Sequence, residues 1–290
     1  MIERVAYLSM HTSPLLQPGV GDAGGLNVYV DELGRTMAGR GIEVDIYTRR
    51  TSADQPDVVA VTDRYRVHHV TAGPPQPMSI RESQRWIGIY GEAVIAAMRD
   101  APLPDVVHSH YWLSGWAGVL VKEALDIPLA NSFHTLGRIK DISRRSGEPG
   151  SSPMRTMTEE EVIARSDCVI AATPYEFDDL LDHYGASPER LCTSPPGVDH
   201  TVFRPGDQAT ARDALKLPDG PLILFAGRIQ ALKGLDIAIG ALAHMANEAD
   251  LVIVGGPSGC LLYTSPSPRD CNEYLVCRLL LEQGGGGGGG

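Results

Sequence analysis

The chain has no Cys-x2-Cys pair, and its five cysteines are an odd number. Reduced thiols therefore fit better than a disulfide framework or a zinc site. Cys168 and Cys192 stand isolated in sequence, while Cys260, Cys271 and Cys277 crowd the C-terminal stretch. No apolar run is long enough to span a bilayer. The opening residues, MIERVAYLSM, pattern as a strand and not as a basic stretch leading into a signal-peptide core, so a cytoplasmic protein is expected. Basic residues are outnumbered: 25 Lys and Arg face 36 Asp and Glu, a net charge of −11. That disfavours non-specific nucleic-acid binding but leaves room for a local basic pocket around a phosphorylated ligand. No catalytic triad or paired-carboxylate motif stands out, so nothing here points to a protein nucleophile.

What is present suits a soluble globular protein with a sizeable core: 43% hydrophobic and 21% charged residues over a length of 290. Short β-rich runs at 4–9, 43–48, 58–61, 65–70, 105–109, 128–133 and 167–172 predict strands. Leu26, Val30, Leu33 and Met37 recur at helical spacing before Gly39 and Gly41. Further helices fit near 80–99, 113–125, 155–165 and 175–184. Such alternation predicts an α/β fold with a doubly wound, mostly parallel sheet.

A Pro/Gly-rich break, SPPGVDHTVFRPG, spans 194–206, after which strand, helix and strand restart with PLILFAG, LDIAIGALAHM and ADLVIVGG. The expected organisation is an N-terminal Rossmann-like domain at 1–193 and a linker at 194–219. An incomplete start of a second Rossmann-like domain follows at 220–259, too small to bury its own surface. The remainder, 260–290, loses the rhythm and ends in seven glycines. Its CLLYTSPSPRD segment resembles a translated sequencing adapter, and the stretch is expected to be foreign to the native fold and disordered.

Between the first strand and helix, Gly19, Gly21 and Gly24 match the dinucleotide pattern Gly-x-Gly-x-x-Gly. About nine residues separate Ser9 from Gly19, whereas the fingerprint follows its strand directly. The second strand also ends in Arg49-Arg50 instead of an acidic residue, which keeps an NADP-dependent oxidoreductase open as an alternative. In either case Gly24 and Gly25 sit where the helix begins, and free N–H groups with the helix dipole favour phosphate there. A plain turn, or a non-catalytic anion-binding Rossmann module, is an equal reading of the loop alone.

Three features meet at predicted strand ends, where open α/β sheets bind ligands: the glycine loop, HSHYWLSG at 108–115 and FHTLGRIKD at 133–141. The strand period of two places His108 and His110 on one face. No third ligand accompanies this His-x-His, so no metal is assigned. His134 and Thr135, with Arg138 and Lys140 nearby, could orient a polar or phosphorylated acceptor. In FAGRIQALKGL, Arg228 and Lys233 flank a strand-to-helix turn and could stabilise a leaving diphosphate.

The stretches HTSPLLQPGVGDAGGLNVYV, VDIYTRR, HSHYWLSG, FHTL, SPPGVD, FAGRIQALKG and VIVGGPSG resemble, in order, the retaining enzymes of glycosyltransferase family 4. The resemblance covers residues 2–259. It implies a GT-B fold of two Rossmann-like domains. The implied activity is transfer of a sugar from a nucleotide-sugar, UDP-GlcNAc or a UDP-hexose, to an acceptor such as inositol phosphate. The nucleotide-sugar is a co-substrate, and no cofactor is implied. By the same resemblance Gly25 faces the donor diphosphate and Asn27 the acceptor. Tyr111, Thr135 and Arg155 hold the acceptor phosphate, His134 lies beside the donor sugar, and Arg228 and Lys233 grip the diphosphate. A donor phosphate oxygen then helps deprotonate the acceptor.

Two departures bear on these expectations. Members with a phosphorylated inositol acceptor carry a Lys after a Gly-Pro loop. Here the region reads AGPPQPMSIRES, with Arg81 nearby but no Lys. Family members also carry a Glu-x7-Glu pair that engages the donor, and no two Glu in this chain stand eight apart. Little or no turnover is expected from the chain as it stands.

Overall fold

The computed structural model describes residues 2–17, 23–144, 150–227, 229, 233–245 and 248–255. The chain divides into two compact units, one built mainly of 25–197 with the first sixteen residues, the other mainly from 198 onward. The tail at 260–290 lies outside the described residues.

The first unit runs β1 (Arg4–Leu8), α1 (Gly25–Gly39), β2 (Glu43–Arg49), β3 (Val58–Thr62), β4 (Tyr65–Val70), α2 (Ile80–Ser83) and α3 (Ile87–Arg99). It continues with β5 (Val106–His110), α4 (Tyr111–Leu125), β6 (Leu129–Ser132), α5 (Gly137–Ile142), α6 (Pro153–Arg165), β7 (Cys168–Ala171), α7 (Pro174–Tyr184) and β8 (Leu191–Thr193). The eight strands form one sheet in the order β3-β4-β2-β1-β5-β6-β7-β8. Only the hairpin pair β3–β4 is antiparallel; the pairings β2–β4, β1–β2, β1–β5 and β5–β6 are parallel, as are β6–β7 and β7–β8. This is the doubly wound sheet that the strand–helix alternation predicts.

Each central strand is buried on both faces, and alternation sorts its side chains. Val5 and Tyr7 of β1 pack in one cluster with Val30 of α1 and with Val44, Ile46 and Val67. Ala6 and Leu8 pack in the other, with Tyr90, Val94, Trp112, Leu113 and Val162 from the helices. The local signals act as propensity rules require. Ser152 caps α6 by accepting from the Arg155 N–H, with Pro153 in the first helical position. Thr173 and Pro174 repeat the device on α7, which ends at a left-handed Gly185.

Four local differences from the sequence expectations have structural causes. The helix expected over 80–99 is broken: α2 stops at Ser83, a 3-10 turn spans Gln84–Trp86, and α3 follows. The turn sets the Trp86 ring over Gly73, whose absent Cβ would lie 2.5 Å from Trp86 Cε2. Helix α4 starts at Tyr111, directly off β5, instead of near 113. The short α5 and the edge strand β8 are too brief to announce themselves by periodicity. Finally, the stretch expected as linker contains α8 (Gln208–Ala214), capped by Asp207.

The second unit adds β9 (Leu222–Ala226), α9 (Leu235–Leu242) and β10 (Asp250–Val254) to α8. Strands β9 and β10 pair in parallel, the start of a second Rossmann-like sheet. Among the described residues, no helix is long and apolar enough to cross a membrane.

Gly73 and Gly88 give opposite expectations for the same substitution. Gly73 holds φ +77° beneath Trp86, so Gly73→Ala adds left-handed strain to ring overlap and should destabilise by about 2–4 kcal/mol. Gly88 in α3 has no atom within 4 Å of a built Cβ, so Gly88→Ala should stabilise by about 0.5–1 kcal/mol. Urea denaturation of the two variants checks both signs.

Candidate active site

From β1 the chain winds outward through β2 to β4, and from β5 it winds the other way through β6 and β7 to β8. The carboxyl ends of β1 and β5 therefore flank the crevice where a doubly wound sheet binds ligands. The segments leaving β1, β5 and β6 meet at this end. Ser9 Oγ donates to the Thr12 carbonyl, and the Met10 N–H donates to Ser114 Oγ of α4 at 2.9 Å. Asn27 of α1 is 1% exposed and spends its amide donors on Thr12 Oγ1, at 2.6 Å, and the Ser13 carbonyl. Asn27 thus folds the start of the glycine loop back onto its own helix.

Two residues here have left-handed backbones without being glycine: Tyr111, φ 75°, and His134, φ 61°. Such geometry costs on the order of 1–3 kcal/mol and persists only where the surroundings impose it. Tyr111 leaves β5 and His134 leaves β6, so the strain sits where the crevice is. Arg155, from α6, links Tyr111 to Thr135, the residue after His134. Its guanidinium lies 5.2 Å from the centre of the Tyr111 ring, and Nη2 donates to the Thr135 carbonyl and to Thr135 Oγ1, at 2.8 and 3.2 Å. Arg155 Nε donates to Glu159 at 2.8 Å, and Nη1 takes no protein partner among the described residues. Tyr111, Thr135 and Arg155, matched to acceptor contacts by resemblance, are thus one cluster. Thr135 is exposed, and Arg155 is 8% exposed.

Glu159, which the sequence reading missed, anchors the group. It is fully buried, accepts from the Gly137 N–H with both carboxylate oxygens, and accepts from the Tyr184 hydroxyl at 2.5 Å. Its one signal was the Arg-x3-Glu spacing, which puts both residues on one helix face.

Histidines line the floor. His108 and His110 do share a face, with ring centroids 4.1 Å apart. His110 Nδ1 lies 3.1 Å from His134 Nε2, so one of the two rings donates to the other. His108 Nε2 pairs with Ser132 Oγ at 2.9 Å, and His11, also missed, tilts against Tyr111. Burial holds His134 down to about 4, and burial with a smaller contribution from His134 holds His108 and His11 down to about 3. His110 is lowered by burial too, with His108 and His134 adding to it. All of these rings are neutral at pH 7 and offer hydrogen bonds instead of charge. Beside His134 lies a small cleft of about 60 Å³ lined also by Tyr29, Ser132, Glu176 and Ser194. Burial raises the Glu176 carboxyl, whose Oε2 accepts from the Ala172 N–H.

Gly25 opens α1 and has no neighbour within 4 Å of a built Cβ, so open space adjoins it; Gly24 precedes it. Lys233 is exposed, just before α9 in the second unit. Arg228, Gly19 and Gly21 lie outside the described residues. Arg81 is exposed on α2. The arginines that kept an NADP reading open are already occupied. Arg49 is buried and donates to the carbonyls of Arg50, Pro74 and Gln76. Arg50 binds the Gln55 and His69 carbonyls and Asp57. Among the described residues, no three His, Cys, Asp or Glu side chains are grouped to hold a metal ion.

A doubly wound sheet with its polar cluster at the β1/β5 crevice, followed by the start of a second Rossmann-like sheet, has the architecture of a GT-B glycosyltransferase. The structure is similar to sucrose-phosphate synthase from Thermosynechococcus elongatus, with TM-score 0.80 and 30% identity over 88% of this chain and 62% of that one. It also shares its fold with Anabaena HepE, solved with UDP and glucose, at TM-score 0.60 and 14% identity over 87% of this chain and 60% of that one. The sequence pattern of glycosyltransferase family 4 matches residues 23–202. The D-inositol 3-phosphate glycosyltransferase of Xylanimonas cellulosilytica is 48% identical over 88% of this chain and 64% of its own length. That of Jonesia denitrificans is 44% identical over 88% and 63%. The chain belongs to glycosyltransferase family 4. It spans about three-fifths of the length of these relatives. Family membership leaves the oxidoreductase and non-catalytic readings without support.

The buried neutral histidines set a stability window. Their folded values lie below the unfolded value near 6.5, so the unfolded chain binds more protons in between. The stabilisation is complete above about pH 6.5 and is lost as pH falls toward 3–4, by up to ~1.4 kcal/mol per pH unit for each ring. Unfolding midpoints measured from pH 8 to pH 4.5 should hold level and then fall below pH 6.5. Midpoints that stay level all the way to pH 4.5 would assign acid sensitivity to carboxylates instead.

Proposed function

We propose that the chain is the acceptor-binding part of a retaining glycosyltransferase that moves a sugar from a UDP-sugar to a phosphorylated polyol such as an inositol phosphate. The observation that carries this reading is the convergence of Arg155, Thr135 and Tyr111 beside the crevice. A guanidinium whose Nη1 is uncommitted, next to an exposed threonine hydroxyl, suits a phosphate monoester. The 48% identical relative named D-inositol 3-phosphate glycosyltransferase supports that acceptor class. The UDP in the Anabaena neighbour supports a uridine-diphosphate donor.

In this reading Gly24 and Gly25 present the amino end of α1 to the donor diphosphate, where backbone N–H groups and the helix dipole favour negative charge. His134, neutral and steadied by His110, offers a hydrogen bond to the transferring sugar. Asn27 shapes the acceptor side by holding Thr12 and Ser13 in place. Arg228 and Lys233 neutralise the departing diphosphate. A donor phosphate oxygen takes the acceptor proton on the face that the leaving group vacates, so configuration is retained. The protein acts in the cytoplasm and uses no cofactor beyond its co-substrate.

Titration calorimetry tests the acceptor. Inositol 3-phosphate should bind at least about tenfold more tightly than inositol, as charge-assisted hydrogen bonds of about 1.5–3 kcal/mol require. Thr135→Val should weaken the phosphate ester about three- to tenfold and shift the unfolding midpoint little, since Thr135 is exposed and Arg155 Nη2 keeps its shorter bond to the Thr135 carbonyl. Equal binding of inositol and its phosphate would sink the assignment. With UDP-GlcNAc and inositol 3-phosphate together, UDP release should be slight, because the family resemblance implies a donor-engaging Glu-x7-Glu pair and no two Glu of this chain have that spacing. A rate matching a full-length relative would refute that expectation.

A further inference from the structure

Cys168 and Cys192, 24 positions apart in sequence and isolated there, are neighbours in the sheet. Strands β7 and β8 run parallel, with Ile170 opposite Cys192. Cys168 is two residues before Ile170, so its side chain emerges on the same face, diagonal to Cys192. The two thiols touch, Sγ to Sγ, at 2.6 Å. Both are free, Cys168 partly buried and Cys192 exposed. Isolated in sequence, the two free thiols are brought together by the tertiary structure.

We infer that Cys168 and Cys192 form an oxidation site, at which a low-molecular-weight disulfide converts the two thiols into one cross-strand disulfide. The Cys192 thiolate, the accessible member, attacks one sulfur of the small disulfide and expels the other as a thiolate. Cys168 then loses its proton to solvent and attacks Cys192 Sγ, releasing the second small thiol. Two protein thiols are oxidised by two electrons, and one external disulfide is reduced to two thiols. The order of events follows from exposure. It also fits the Cys168 thiol, pushed up to about 12 by burial and by its neighbour, which makes it the slower, resolving partner.

The bond has a structural consequence. β8 is the edge strand of the sheet, and among the described strands it pairs with β7 alone. Directly after it, Ser194 and Pro196 line the cleft beside His134. Cross-linking β8 to β7 closes the stretch that contains α7 and Glu176 and fixes the strand from which that cleft wall departs.

The test uses the whole chain, with Cys260→Ser, Cys271→Ser and Cys277→Ser introduced to remove the other thiols. Folded protein is exposed to 2-hydroxyethyl disulfide, alkylated and digested without reduction. The expected product is a linked peptide pair joining Cys168 to Cys192, two hydrogens lighter than the reduced peptides together. The unfolding midpoint should rise by on the order of 5 °C, reversibly on adding a thiol reductant. In Cys168→Ser, Cys192 should accumulate the mixed disulfide and the midpoint should not rise. Persistence of the mixed disulfide on Cys192 with Cys168 present, or alkylation of both residues after exposure, overturns the proposal. A cross-link that forms only after denaturation overturns it equally.

Discussion

Strands β1 and β5 lie side by side yet send the chain in opposite directions, and this divergence is the constraint on which the rest depends. A right-handed crossover covers one face on each side of the junction. The space past the carboxyl ends of the two strands stays open. Every segment that leaves β1, β5 or β6 must turn there. The polar side chains that would be costly inside the sheet collect at its rim. The strained backbones of Tyr111 and His134 sit at these turns.

The cluster is held by one buried carboxylate. An isolated charge at the position of Glu159 would be strongly unfavourable, but Arg155, the Gly137 N–H and the Tyr184 hydroxyl satisfy it. These partners come from α5, α6 and α7, so the same bonds that settle the charge join three helices. Arg155 is thereby fixed with its guanidinium over Tyr111 and bonded to Thr135. The histidine floor shows the opposite solution: there burial removes the charge instead of pairing it. Arg155 thus stands as an oriented cation, while the nearby imidazoles are neutral hydrogen-bonding groups.

Much of this was legible in the sequence. Short β-rich runs located seven of the eight strands of the first sheet, and the strand period of two then sorted their faces. The shared face of His108 and His110 followed from the same period. Tyr111 and Arg155 were identified only by resemblance, since each alone is an ordinary aromatic or cationic residue, whereas Thr135 was also marked by its place at a predicted strand end. Glu159 could not be singled out. It is the first of three consecutive glutamates, and that run reads as a solvated face. The edge strand β8 spans only Leu191–Thr193 and carries no periodic signal.

The sequence by itself determined the strand–helix rhythm, the parallel sheet, the second Rossmann-like start and the family, because local periodicity and ordered motifs survive without knowledge of contacts. Tertiary structure alone decided which glutamate is buried and which arginines remain available. Arg49 and Arg50 are spent on carbonyls and an aspartate, while Arg155 reaches the crevice. It also decided that two distant cysteines touch. These outcomes depend on which strands become neighbours, and strand order is a property of the folded sheet that no local stretch of chain encodes.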